Sequence, residues 1–280
     1  MSDLNGEKRR SSLRVVIVLL ILLGIGTTGI LGIRAIIRHR AKERYAALSA
    51  SQTTEPQTEE APSETVETLP AIDLPEDVVL PDKTIDWETL RGENEDIYAW
   101  IMIPGTNVDY PVLQHAEELD YYLDHNLDHS QGYPGCIYTR FHNSTDFEDP
   151  NTVIYGHNMK DGSMFRTLHY FEDGAFFAEH PYLYVWQEDR LMVYEIFAAY
   201  SFTDHNLLSL IDFNDPDAFK NYLDDLMAIR NLNVHLRHDT FVPLDENCRI
   251  ITLSTCFAGA EEVRYLVQAV RIGTLEDNGA

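Results

Sequence analysis

The chain reads as a mainly β protein, either a sandwich or a closed barrel. Three observations predict this. About eight short runs rich in β-branched, aromatic and aliphatic residues lie beyond residue 84. Gly, Pro, Asn and Asp punctuate them, and only one segment sustains a helical period.

At the start of this region, Asp86 is placed to cap a short helix over 87–90, and residues 94–100 read as a further helical turn or two. The first strand signal, 100–103, precedes a turn by composition, Pro104-Gly105-Thr106-Asn107. The second, 108–113, contains Pro111, which argues for an edge or a bend because proline donates nothing to a ladder. Further strands are expected at 135–139, 152–155, 182–186, 191–202, 250–255 and 265–272. The long helix begins with Asp215 as cap and Pro216 in the first turn, and Phe219, Tyr222, Leu223, Leu226 and Met227 recur at helical spacing up to Arg230. It packs on the barrel flank or forms one wall of a groove.

Ahead of these elements the composition changes. Residues 1–44 hold nine Lys or Arg against three Asp or Glu, a net of +6, so with a total of −25 the remainder carries −31. So acidic a body is repelled by phosphate backbones, which excludes nucleic acid as a partner. Residues 15–33 carry no charge. At about 1.5 Å per residue, 19 helical residues nearly span a hydrocarbon core about 30 Å thick. A cleaved leader would have a shorter apolar region and a small-residue cleavage site, so an uncleaved anchor is favoured. Basic residues flank it on both sides, and their distribution leaves the orientation open. Residues 46–82 are rich in Thr, Ser, Glu and Pro without periodicity and read as an extended stalk. The expected organisation is a short tail (1–14), an anchor (15–33), a basic segment and disordered stalk (34–83), and one folded catalytic domain (84–280).

Two strand ends carry the chemistry. The run Arg249-Ile250-Ile251-Thr252-Leu253-Ser254-Thr255-Cys256 presents a cysteine where a buried strand gives way to a loop, held firmly yet open to reagents. Arg264, eight residues on, opens the next strand, and an antiparallel pairing would bring its guanidinium to Cys256, favouring thiolate or an adjoining oxyanion. In the run Val153-Ile154-Tyr155-Gly156-His157 a second strand ends by presenting a histidine, which can protonate a leaving amine or deprotonate an entering one. The chain holds 11 histidines, so it is the strand-end position that singles out His157. The bland reading of Cys256 is a buried structural thiol.

These residues bear a family likeness. Thr252-Leu253-Ser254-Thr255-Cys256 with the following Arg264, and Tyr155-Gly156-His157-Asn158-Met159, together resemble a class B sortase. The likeness extends to 105–112, 120–123, 160–165 and the 216–230 helix, and covers roughly 87–272 in matching order. It implies a closed eight-stranded β-barrel with N-terminal helices and a helix before the seventh strand. It further implies a membrane-anchored cysteine transpeptidase of a Gram-positive cell surface, N-terminus inside and catalytic domain outside. In such an enzyme Cys256 attacks the carbonyl after a Thr in the C-terminal sorting signal of a secreted protein. A thioester forms, and an amine of the wall precursor or of another protein resolves it. His157 would be the acid and base, and Arg264 would hold the substrate backbone or oxyanion. Tyr155, Asn158, Ser254 and Thr255 are the expected positioning and substrate-binding neighbours. No cofactor or metal is implied.

Three alternatives weigh less. Cys136, in a run faintly resembling another transpeptidase family, lacks the spacing and the preceding His-Gly element of that family. It and Cys248 are expected as free buried thiols rather than a disulfide. The pairs His125/His129 and His235/His238 lack the Glu of an H-E-x-x-H motif. A stalked binding module without activity would be expected to have lost Cys256, His157 or Arg264, and all three are present.

Overall fold

A computed structural model of the chain describes residues 32–52, 74–205, 207–257 and 260–276. Residues 32–51 are helical and form α1. Next come α2 (Trp87–Glu93), β1 (Ile97–Met102), β2 (Asp109–Leu113), α3 (Tyr121–Asp124), β3 (Ile137–Thr139), β4 (Asn151–Tyr155) and a 3-10 helix (Phe165–Glu172). The chain continues through α4 (Gly174–Glu179), β5 (Tyr182–Gln187), β6 (Arg190–Thr203), α5 (Leu207–Leu210), α6 (Pro216–Met227), β7 (His235–Leu236), β8 (Ile250–Phe257) and β9 (Ala260–Glu276).

The sheet runs β5-β1-β2-β3-β4-β8-β9-β6, and β6 pairs back onto β5, so eight strands close into a barrel. The two residues of β7 pair with Ala198 and Ala199 of β6, beyond the point where β5 stops. Two pairings are parallel, β2 with β3 and β4 with β8; the rest are antiparallel. Closure leaves the long strands without an open edge, which removes the aggregation hazard of exposed ladders. The barrel interior and its flanks bury Trp100, Tyr184, Tyr194, Phe197, Phe219, Leu253 and Val267 almost completely. Full burial of such side chains stabilises by roughly 1.5–3 kcal/mol each before conformational entropy is set against it.

All eight strands expected from the sequence are present. Pro111 faces Trp100 of β1, and β3 reaches only Val112 and Leu113, so the proline stands where β2 has a single neighbour. Asp86 caps α2 by accepting from the Thr89 amide at 3.0 Å. Asp215 caps α6 by accepting from the Asp217 amide at 3.0 Å, with Pro216 in the first turn; a cap of this kind contributes about 1 kcal/mol. The expected helical turn at 94–100 is not there, because β1 begins at Ile97. Ile97, Ala99, Trp100 and Ile101 are all buried, and a strand buried on both faces shows no alternation to distinguish it from a short helix.

The N-terminal boundary also differs from the sequence expectation. Residues 32–52 belong to the folded body, with Ala41, Tyr45, Leu48 and Gln52 buried at helical spacing. The Arg44 guanidinium donates to Glu93 at 2.6 Å, Lys42 pairs with Asp161 at 3.7 Å, and Ser49 bonds Asp109. Gln52 accepts from the Asp86 amide, tying the end of α1 to the start of α2. The expected stalk over 53–73 and the anchor over 15–31 lie outside the described residues. Among the described residues no helix is long and apolar enough to cross a membrane.

Candidate active site

β8 and β9 form a hairpin in which Cys256 pairs directly with Arg264 across the ladder. Cβ atoms of directly opposed residues lie about 4.5–5.5 Å apart, so the thiol and the arginine stem are immediate neighbours. The ladder is irregular just beyond Cys256, where Phe257 pairs with Ala260. Cys256 is exposed, whereas Ser254 and Thr255 before it are buried. On the other side of β8 lies β4, in parallel register with Tyr155 against Ser254. The chain leaves β4 through Gly156, whose amide donates to the Ser254 carbonyl at 3.2 Å, and delivers His157 beside the end of β8.

Gly156 is there because of close approach. A Cβ at that position would meet Ile137 Cδ1 at 2.5 Å and the Phe165 ring at 2.7 Å. The His157 ring is held by three neighbours. Nε2 lies 2.7 Å from the Leu123 carbonyl, which can only accept, so Nε2 carries a proton and Nδ1 is the nitrogen that gains or loses one. The Tyr133 ring packs at 4.8 Å between centroids, and Asp124 lies nearby. Burial holds the imidazole below the ordinary histidine value, and the Leu123 carbonyl and the Asp124 charge pull it partway back.

A cleft of about 210 Å³ is lined by Tyr155, His157, Ser254, Thr255, Cys256 and Arg264, so six of the seven residues expected from the sequence share one cavity. The seventh, Asn158, donates from Nδ2 to the Cys256 carbonyl at 2.8 Å. Thr255 Oγ1 is buried with no protein partner among the described residues. Tyr155 stacks on Tyr138 at 5.5 Å, with the Arg140 guanidinium 4.7 Å from its ring centroid. Arg140 is fixed by Asp120 through hydrogen bonds of 2.8 and 3.0 Å, and the Tyr138 hydroxyl donates to the same carboxylate at 2.9 Å. The other wall is the end of β6 with the segment after it, Phe202 to His205 and Leu207. α6 is not a groove wall: Phe219, Leu223 and Leu226 turn inward, and the Tyr222 hydroxyl donates to Gln268 at 2.8 Å.

Sequence reasoning missed a second group beneath the cysteine. The Cys256 carbonyl also meets His169 Nε2 at 3.1 Å, and Asn158 Nδ2 lies 2.9 Å from the same nitrogen. His169 Nδ1 bonds Glu172, its ring stacks on Tyr265 at 5.0 Å, and Arg166 donates to Asn158 Oδ1 at 3.1 Å. The arginine bond orients the Asn158 amide, with its nitrogen toward Cys256. Nothing in the local sequence marks His169, which lies in a 3-10 helix 87 residues from Cys256.

The other cysteines fit no reactive role. Cys136 is 1% exposed, and burial pushes its thiol up to about 12. Cys248 is partly buried and raised to about 11 for the same reason; both are free. His125 lies flat against Tyr121 at 4.0 Å, and His235 Nε2 bonds the Glu172 carbonyl at 2.9 Å, so each of these is engaged in local structure.

The architecture agrees with comparisons to known proteins. A family model described as the sortase domain matches residues 101–272. The chain belongs to the sortase family. Its relatives place it in class B: Sortase B of Listeria monocytogenes is 38% identical over 169 residues, 60% of this chain. That match spans 65% of the Listeria protein's length. Sortase B of Staphylococcus aureus is 30% identical over 188 residues, 66% of this chain and 74% of its own. The crystal structure of Clostridium perfringens sortase B superposes with a TM-score of 0.59 at 30% identity, covering 67% of this chain and 100% of that one.

Proposed function

We propose that this sortase is a membrane-anchored cysteine transpeptidase, with residues 15–33 as the single span and the barrel outside the cell. Its substrates are secreted proteins carrying a C-terminal sorting signal. Cys256 Sγ attacks the carbonyl carbon of a Thr in that signal. The Arg264 guanidinium stabilises the resulting oxyanion, and His157 gives its Nδ1 proton to the departing amine as the C–N bond breaks. The thioester is then attacked by an amine of the peptidoglycan precursor or of another surface protein. His157 takes the proton from that nitrogen and the Cys256 thiolate leaves, restoring the enzyme. Neither a cofactor nor nucleic acid takes part.

The observation carrying this reading is the direct cross-strand pair Cys256–Arg264 at the rim of a cleft that His157 enters from the neighbouring strand. The test uses the full-length chain in detergent with a library of x-P-x-T-x peptides and reads intact mass. An acyl adduct in the parent, absent in Cys256→Ala, is expected and names the accepted motif. Turnover in Cys256→Ala would remove Cys256 as the nucleophile.

A further inference from the structure

Helix α1 does more than lead into the barrel. It lies against the turn, residues 122–136, that holds His157. Within that turn the Cys136 amide donates to the Tyr122 carbonyl at 2.9 Å and the Gly132 amide to the Asp124 carbonyl at 2.6 Å. The carbonyl between them, Leu123, accepts from His157 Nε2, and Tyr133 packs on the same imidazole. Gly135, at φ +67, sits under these carbonyls so closely that a Cβ would come within 2.6 Å of the Tyr122 oxygen and 2.7 Å of the Leu123 oxygen. The buried Tyr45 of α1 donates its hydroxyl to the Gly135 carbonyl at 2.9 Å. Beside it on the helix, Arg44 pairs with Asp128 of the same turn at 3.5 Å, and Lys42 reaches Asp161 in the loop just beyond His157 and Asn158. α1 thus touches both segments that flank the imidazole.

We propose that α1 is part of the catalytic assembly and that Tyr45 is a positioning residue. Through the Gly135 carbonyl it fixes the turn that presents the Leu123 oxygen and the Tyr133 ring to His157. This rests on His157 acting as the acid and base. Its consequence is that the segment next to the proposed anchor sets the geometry of the site, so a barrel cut free at residue 84 is a poorer catalyst than the full chain. A buried tyrosine hydroxyl bonded to a carbonyl fixes distance and direction, which plain apolar packing does not. Displacing the Leu123 oxygen removes one support of the Nε2 proton and opens the ring to water.

The test monitors the imidazole itself in full-length protein labelled with 15N-histidine, His157→Gln supplying the assignment. The charged and titratable groups around the ring are Asp124 and Tyr133 on the turn, and Asp120, Tyr138, Arg140, Tyr155, Asp204, His205, Cys256 and Arg264 around the cleft. None of them is altered in Tyr45→Phe. Burial is the larger influence on His157, so Tyr45→Phe is expected to raise its titration midpoint by more than about 0.3 pH unit, toward that of a solvated imidazole near 6.5. With an accepted peptide, kcat should fall about tenfold and KM change less than about twofold, the pattern of an interaction made in the transition state. Gly135→Ala should move the midpoint too, by pushing on the Leu123 carbonyl directly. An unchanged midpoint and kcat in a folded Tyr45→Phe protein, with only its Tm lowered, would reduce α1 to a stabilising strut. If Tyr45→Phe does not fold, Arg44→Gln, which breaks the pairs with Asp128 and Glu93, takes its place under the same criteria. If the parent transfers no peptide, the functional reading fails while a shifted midpoint still upholds the coupling.

Discussion

Cys256 and Arg264 face each other on adjacent strands, so their relation is set by the ladder rather than by flexible loops. An arginine rooted there carries a planar fork of donors, and a lysine at the same place offers only a point charge. Arg264→Lys is therefore expected to lower kcat by about a hundredfold, the usual loss when one oxyanion donor is removed. A rate near the parent's would mean that charge alone matters at this position. For His157 the sign comes from burial. Its folded value is depressed, so at neutral pH the uncharged ring predominates and the acid form is the minority. The unfolded chain takes up this proton more readily than the folded one. The penalty is thus absent above the unfolded value near 6.5, grows as pH falls from there toward the lower folded value, and levels off below it. Replacing His157 with Gln should make the urea midpoint less sensitive to acid just below about pH 6.5. A parent-like slope in that window would show the imidazole to be better solvated than its contacts imply. The shared position of these residues at one cleft was legible because each stands at the edge of a buried run, where the pattern breaks in plain view.

At the scale of elements, the end of β8 is secured by Asn158, whose Nδ2 donates to the Cys256 carbonyl while the His169 ring, held by Glu172, lies 2.9 Å from the same nitrogen. A backbone oxygen bonded by an amide that Arg166 and His169 hold in turn cannot swing when the sulfur attacks. His169→Ala should cost about tenfold in kcat, with a smaller change in KM, as expected when a reacting atom is held less well. His169→Gln, which keeps an acceptor for Asn158 Nδ2 in reach, should recover part of that loss; failure to recover any would point to the ring stack on Tyr265 instead. Here the sequence was mute, since the contact joins a 3-10 helix to a distant strand and leaves no local period. α1 was partly legible. Ala41, Tyr45 and Leu48 recur at helical spacing, but within a basic stretch running into a Thr- and Glu-rich one, composition outweighed that short stripe. β1 was obscured for the opposite reason: it is apolar throughout, so neither period stands out. The caps at Asp86 and Asp215 were legible because they depend on only three or four neighbouring residues.

Across the whole molecule, a polar chain threads the sheet from flank to core. The Tyr222 hydroxyl of α6 donates to Gln268 Oε1 on β9 at 2.8 Å, Gln268 Nε2 donates to Thr252 on β8 at 2.7 Å, and Thr252 donates to Asn151 on β4 at 2.8 Å. Tyr200 of β6 adds a hydroxyl at 3.3 Å from the same Gln268 oxygen. Each amide and hydroxyl is useful only while its neighbour is present, and Gln268 is fully buried at the centre. Gln268→Leu leaves the Tyr200 and Tyr222 hydroxyls bonded to each other at 2.9 Å but takes the acceptor from the Tyr222 proton and the donor from Thr252, at a cost of about 1–3 kcal/mol. The urea midpoint should drop accordingly with an unchanged m-value, because the folded shape and the surface exposed on unfolding are retained. Cys256→Ala removes one exposed sulfur at the rim and should leave that midpoint where it was. The contrast tests whether the barrel keeps stability and reactivity in separate places. If Gln268→Leu unfolds no earlier than the parent, the polar chain contributes specificity of assembly rather than stability, as some buried networks do. Should Cys256→Ala shift the midpoint as far as Gln268→Leu does, the rim and the core would form one cooperative unit.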